Sequence, residues 1–232
     1  MEAIHIQSFV AAPPEKVWRR LLERPDVVLD ALPVTAWPES REERAPARLS
    51  VRWPIGGDAP PTALEISLDP ISAGTRIEVH HDGWPDGPGI EDVFGGHFAG
   101  WLQALAALGL LVESGKDARA STPQLARSGR YFASAEVPAG ADAAFRAMTD
   151  ERVLAQWSGG ALSDAAVTDR VEGRYARWAL AAAAGGAARE LVVVFRPTPR
   201  GTHCALAEYG VTDRSASSRW PKLLEHLAQF LR

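Results

Sequence analysis

Three ionisable side chains stand where pattern and chemistry coincide: His81, His97 and Glu208. Ile77, Val79 and His81 alternate with Arg76, Glu78 and His80, so His81 extends an apolar strand face by one step. Cys204, Leu206 and Glu208 repeat the arrangement 127 residues later. A buried ionisable group at such a strand end has its pKa displaced and can orient a ligand or move a proton. Seated at a cavity mouth, it is instead partly hydrated and bonded to a loop. His97 lies three residues after Phe94 and four before Trp101, on the apolar side of a helix pattern. From there it could face His81 as a general acid–base pair, or the two could form two legs of a metal site. No carboxylate falls in place as a third ligand. A structural histidine closing the interior is therefore the preferred reading, and no metal is expected.

Around these groups the pattern turns large aromatics inward: Trp53, Trp101, Trp178 and Trp220, with Phe94 and Phe98 on the same helical stripe as Trp101. Such rings can stack on a flat ligand, and they can equally fill a core. Trp101 and Trp220 read as core, whereas Trp53 and Trp178 fit either role. No nucleophile motif accompanies them. There is no Gly-x-Ser-x-Gly elbow and no phosphate-cradling glycine loop, and Cys204 sits in a strand pattern among small apolar neighbours. No cofactor is called for.

The elements that must position these residues come twice. Val10 to Trp18 lies over Val137 to Phe145 at a shift of 127, which also places Leu21 on Met148, Gly74-Thr75 on Gly201-Thr202 and Gly83 on Gly210. Towards the end the shift falls to 119, placing Trp101, Leu105 and Leu108 on Trp220, Leu224 and Leu227. Each copy reads as a strand (Ile4 to Ala11 in the first), a helix opened by Pro13-Pro14-Glu15, a second short helix over 27–32, strands, and a long closing helix. The first copy's strands alternate at Leu49, Val51, Trp53; Leu64, Ile66, Leu68; and Ile77, Val79. The second copy offers Ala176, Trp178, Leu180; Leu191, Val193, Phe195; and Cys204, Leu206. Period two with one apolar face predicts an antiparallel sheet wet on its other side. The stripes Phe94, Phe98, Trp101, Leu105, Leu108 and Trp220, Leu223, Leu224, Leu227, Leu231 need a sheet to cover. Gly56-Gly57 and Gly185-Gly186 read as hairpin turns. Gly95-Gly96 is unusual in a helix, and implies either close backbone approach or a regular helix starting only at His97.

Composition fits this plan. At 232 residues, 46% hydrophobic and 23% charged, the chain suits two globular domains, expected at 1–115 and 130–232 with a polar, proline-interrupted linker at 116–129. Its net charge of −4 argues against nucleic acid as a partner. Residues 1–115 carry 17 acidic and 9 basic side chains, and residues 116–232 carry 12 and 16. Those opposite signs are compatible with drift, with docking of the halves, or with a homodimer. No run of about 18 apolar residues predicts a membrane span. No signal peptide is visible and Cys204 is the single cysteine, so a cytoplasmic protein is expected.

The first copy resembles the AHSA1-type branch (homologues of the activator of the Hsp90 ATPase) of the SRPBCC, or START/Bet v 1-like, superfamily. The residues that carry the resemblance are Ala12-Pro13-Pro14-Glu15-Lys16-Val17-Trp18, the Gly74-Thr75-Arg76 strand ending His80-His81-Asp82-Gly83-Trp84, and Glu91, His97 and Gly100-Trp101-Leu102. The second copy matches more loosely, with Arg219-Trp220 and Glu208-Tyr209-Gly210 at the corresponding places. The resemblance implies an α+β fold of two tandem helix-grip domains, each a curved antiparallel sheet around a long C-terminal helix with a cavity between. It implies binding of a small apolar or aromatic molecule, with Trp53, His81, Phe94, His97, Phe98, Trp101, Trp178 and Glu208 as the ligand-facing set. The alternatives are a cyclase or hydrolase acting on an aromatic or polyketide-like substrate through His81 and His97, and a co-chaperone-like interaction module. The first copy, closer to the family pattern, is the expected seat of function.

Overall fold

The computed structural model describes the chain except residues 1–2, 33, 35, 57–58, 123–128, 161, 182–187 and 212–214. Two compact units divide it at Asp117/Ala118. The first contains β1 (Ile4–Val10), α1 (Pro14–Glu23), α2 (Pro25–Val28), β2 (Glu42–Arg44), β3 (Arg48–Trp53), β4 (Thr62–Ile71), β5 (Gly74–Asp82) and α3 (Ile90–Ser114). The second contains β6 (Arg130–Val137), α4 (Ala141–Thr149), α5 (Glu151–Trp157), β7 (Ala166–Val171), β8 (Tyr175–Leu180), β9 (Arg189–Thr198), β10 (Gly201–Tyr209) and α6 (Ser215–Phe230). Each sheet is antiparallel and five-stranded, ordered β1-β5-β4-β3-β2 and β6-β10-β9-β8-β7. Each unit is a helix-grip fold, with the long last helix lying along the first strand and the apolar sheet face beneath it. The second short helix spans Pro25–Val28 rather than 27–32, because Pro25 supplies a first-turn residue with no N–H to satisfy.

The 127-residue register holds at the level of single atoms. Gly74 and Gly201 have φ of 140° and 148°, and a Cβ on either would lie 2.2 and 2.1 Å from the carbonyl oxygens of Val10 and Val137. The next residue, Thr75 or Thr202, donates its hydroxyl to the carbonyl of Ala12 (2.6 Å) or Ala139 (2.7 Å). In both units this Gly-Thr pair clips the start of the last strand to the end of the first. A side chain at the glycine would break that approach.

The units differ on the far face of the sheet. In the first, β4 and β5 alternate between buried and more exposed positions as expected. In the second, the expected wet face is absent: Val192, Val194, Ala205, Ala207, Tyr175 and Tyr209 are buried beside the inward Leu191, Val193 and Phe195. The unbroken run Leu191-Val192-Val193-Val194-Phe195 carries the reason, since a strand apolar on both faces is one covered on both. Arg177 and Glu190 form a buried ion pair on that face, closed by Tyr175 Oη (2.6 Å from Arg177 Nε), the Arg119 carbonyl (2.8 Å from Arg177 Nη2) and Ser121. Thus part of the stretch read as a linker, Ala118 to Ser121, packs into the second unit; residues 123–128 lie outside the described residues, as do Gly57 and Gly185-Gly186.

Helix α3 is buried on every side from Gln103 to Val112. Among the described residues it is the one helix long and apolar enough to cross a membrane, yet 72% of its most apolar window is buried inside the fold, as befits a core helix. Gly95 and Gly96 lie within it, and a Cβ at either meets nothing within 4 Å. Neither close approach nor a late helix start explains that pair, and nothing else in the structure does. Gly100 is the glycine the packing requires: a Cβ there would meet the Ala31 carbonyl oxygen at 2.6 Å and Leu32 Cδ2 at 2.8 Å.

Candidate functional site

The interior of the first unit is a cage of rings. His81 ends the inward face of β5, His97 faces it from α3, and their ring centroids are 5.6 Å apart. Trp53 from β3, Trp84 after β5 and Trp101 from α3 complete the cage, with Trp84 4.5 Å from His81 and Trp53 5.4 Å from Trp101. Phe94 packs on its rim, 5.2 Å from Trp84. Phe98 does not join it. It is 41% exposed, because the inward line of α3 runs through His97 and Trp101 and leaves Phe98 at the edge of the stripe.

Hydrogen bonds fix the charge state of this cage. The Trp101 indole N–H donates to His81 Nδ1 (3.3 Å), so that nitrogen carries no proton. The proton therefore sits on Nε2 and is donated to Thr62 Oγ1 (2.6 Å), whose hydroxyl donates to the Trp53 carbonyl (3.2 Å). Likewise Trp53 Nε1–H donates to His97 Nε2 (3.0 Å), and His97 Nδ1–H donates to the Val93 carbonyl (2.8 Å). All four imidazole nitrogens are satisfied, and both rings are neutral. Burial, with His97 and His80 adding to it, pushes the His81 pKa down to about 3, and burial also lowers that of His97.

The equivalent position in the second unit solves the same problem with charge. Glu208 is fully buried, and Trp220 Nε1–H donates to it as Trp101 does to His81. Arg189 stands where Thr62 stands in the first unit and donates through Nε to Glu208 Oε1 (2.9 Å). Arg219 donates to Glu208 Oε2 (2.7 Å) while its guanidinium lies 4.6 Å over the Trp220 ring. A carboxylate buried without partners is costly by several kcal/mol, and two arginines remove that penalty. The strand-end polar group and the helix tryptophan are thus one duplicated latch, neutral in one copy and ionic in the other. Thr62 and Arg189 were not singled out from the sequence, and Arg219 and Trp84 stood there only as parts of the family motif, with no role in the site. The 127-residue shift from Thr62 to Arg189 is the signal that could have found the first two.

A cleft of about 630 Å³ opens in the second unit between α5 and the sheet edge. Ala155 stands on one wall, Met148, Leu154, Leu162 and Trp178 of β8 lie at its base with little of their surface open, and Thr149, Glu151, Ser158, Ser163 and Arg170 are its polar positions. Of the sequence-derived set, only Trp178 reaches it. The latch residue Glu208 is not among its lining residues. Cys204, buried in β10, has its thiol pushed up to about 12 by burial and is not a nucleophile near neutral pH. Among the described residues, no group of three His, Cys, Asp or Glu side chains is arranged to hold a metal ion.

No protein-family model matches the chain, and no curated protein is significantly similar to it in sequence. Solved structures do show likeness. DynU16, from the dynemicin biosynthetic locus, is 14% identical with a TM-score of 0.41, covering 100% of this chain and 96% of its own. The di-domain ARO/CYC BexL of the BE-7585A biosynthetic pathway is 12% identical with a TM-score of 0.36, covering 100% and 99%. A protein from Mesorhizobium loti is 20% identical with a TM-score of 0.40, covering 48% of this chain and 96% of its own. At these values, function has to be read from the chain's own residues.

Proposed function

We propose that the protein binds a small, largely apolar molecule, and that the binding site is the cleft of the second unit. The observation that carries this reading is the cleft itself: about 630 Å³, within the range of small-molecule sites, with aliphatic side chains and an indole at its base and polar side chains around them. The interior of the first unit supports the reading by contrast. Its ring nitrogens are all engaged and its tryptophans contact one another, so it serves as a rigid core. Acid–base chemistry at His81 and His97 would require freeing a ring nitrogen from an indole, a hydroxyl or a carbonyl. We also propose, on its Gly74-Thr75-Arg76 strand and its His97/Gly100-Trp101 helix, that the first unit descends from the AHSA1-type branch.

Phenylnaphthylamine, a neutral fluorescent probe, tests the assignment. It should bind the full chain with micromolar affinity and fluoresce. Ala155→Trp, which fills the cleft from α5, should abolish the signal while far-ultraviolet circular dichroism stays unchanged. Undiminished binding by the filled variant would overturn the site.

A further inference from the structure

The edge strand β7 contains an irregularity that aims one side chain. Its pairing with β8 runs Val167↔Trp178, then Asp169↔Arg177 and Arg170↔Ala176, with a bulge between Val167 and Asp169. Trp178 and Ala176 belong to the core-facing side of β8. Side chains of directly opposed residues share a face, so Val167 and Arg170 share that side although they are three positions apart. In a regular strand, residues three apart point to opposite faces, and Arg170 would lie on the far side. The bulge therefore puts Arg170 on the cleft side of the strand, where it and Val167 line the rim and both stay solvent-exposed.

No hydrogen bond or ion pair joins this guanidinium to any described residue. The neighbouring Asp169 accepts from the backbone N–H of Arg170 (2.9 Å) and, paired with Arg177, lies on the other face. Glu151, the other charged group of the cleft, opens the first turn of α5 on the opposite wall, where a carboxylate is favoured by the exposed helix N–H groups. The cleft thus holds an indole at its base, aliphatic side chains and, on its rim, one solvent-exposed cation whose five donors have no protein partner among the described residues.

Resting on the cleft being a ligand site, we infer that its ligand is an amphiphile with an anionic head, a carboxylate or sulfonate, paired with Arg170, and a flat apolar body over Trp178. A forked guanidinium matches a two-oxygen anion, and an indole at the base of the cleft favours a flat ring body over a long chain. A charge on an edge strand also discourages strand addition. That role needs no ligand, and the test separates the two.

The test uses two probes with one skeleton, anilinonaphthalene sulfonate and neutral phenylnaphthylamine, titrated into the full chain and followed by fluorescence. The sulfonate should bind more tightly. Arg170→Gln should weaken the sulfonate about tenfold and leave the neutral probe unchanged. Arg170→Lys, which keeps the charge and loses the fork, should recover part of the loss. Equal weakening of both probes, or of neither, overturns the inference about Arg170 and leaves the cleft standing. Absence of binding by both probes, or binding that Ala155→Trp does not block, overturns the cleft reading itself.

Discussion

Lowering the pH should unfasten the first unit through one ring. His81 accepts from Trp101 at Nδ1 and donates from Nε2 to Thr62, so a second ring proton would set Nδ1–H against the indole N–H, donor against donor. Its pKa falls from 6.5 to about 3 in the folded chain, chiefly through burial. The unfolded chain therefore binds the proton more readily, and folding stability from this group is complete above about pH 6.5 and lost as pH falls towards 3. At 1.36 kcal/mol per decade, that interval corresponds to at most about 4 to 5 kcal/mol, a large share of a domain's usual stability. The assay is urea unfolding of the full chain between pH 7 and pH 4, for the wild type and His81→Gln. The wild type should lose stability with a slope approaching 1.4 kcal/mol per pH unit in excess of the variant. The variant should begin less stable and respond less to acid. Parallel pH profiles for the two proteins, or a His81 nuclear magnetic resonance titration near 6.5, would refute the neutral, fully bonded cage.

Other expectations follow from single contacts. Glu208→Gln leaves Arg189 and Arg219 without their carboxylate and should cost about 3 kcal/mol in chemical denaturation, near the lower end for a broken buried pair because both arginines reach solvent. Gly95→Ala and Gly96→Ala, with open space at each Cβ, should each raise stability by up to about 1 kcal/mol. Gly100→Ala, five or fewer residues away on the same helix, should instead lower it and shift the melting temperature down.

Much of the scaffold is legible in the sequence because it rests on short-range periodicity. The inward positions of β3, β4, β5, β9 and β10, and the Gly-Thr clips at Gly74 and Gly201, follow from alternation and a constant shift. His81 and Glu208 were equally visible as the odd polar steps on apolar faces. Their chemistry was not, because it depends on partners brought from other elements: Thr62 and Trp101 in one case, Arg189 and Arg219 in the other. The cleft was hidden for a different reason. Its sheet edge is Ala166 to Val171, a short segment without alternation, and the bulge that puts Arg170 on the cleft side changes register without any glycine or proline to announce it. Motif content pointed to the first unit, whereas the cleft proposed as the binding site lies in the second.

The most direct measurement is chemical-shift mapping of the full chain during titration with anilinonaphthalene sulfonate, with tryptophan indole and methionine methyl signals assigned. The expected result is saturable shifts at the Trp178 indole and Met148 methyl, with the Trp53, Trp84 and Trp101 indoles unmoved. Shifts centred on Trp53, Trp84 and Trp101, with Trp178 and Met148 unmoved, would place the ligand in the first unit and contradict the assignment.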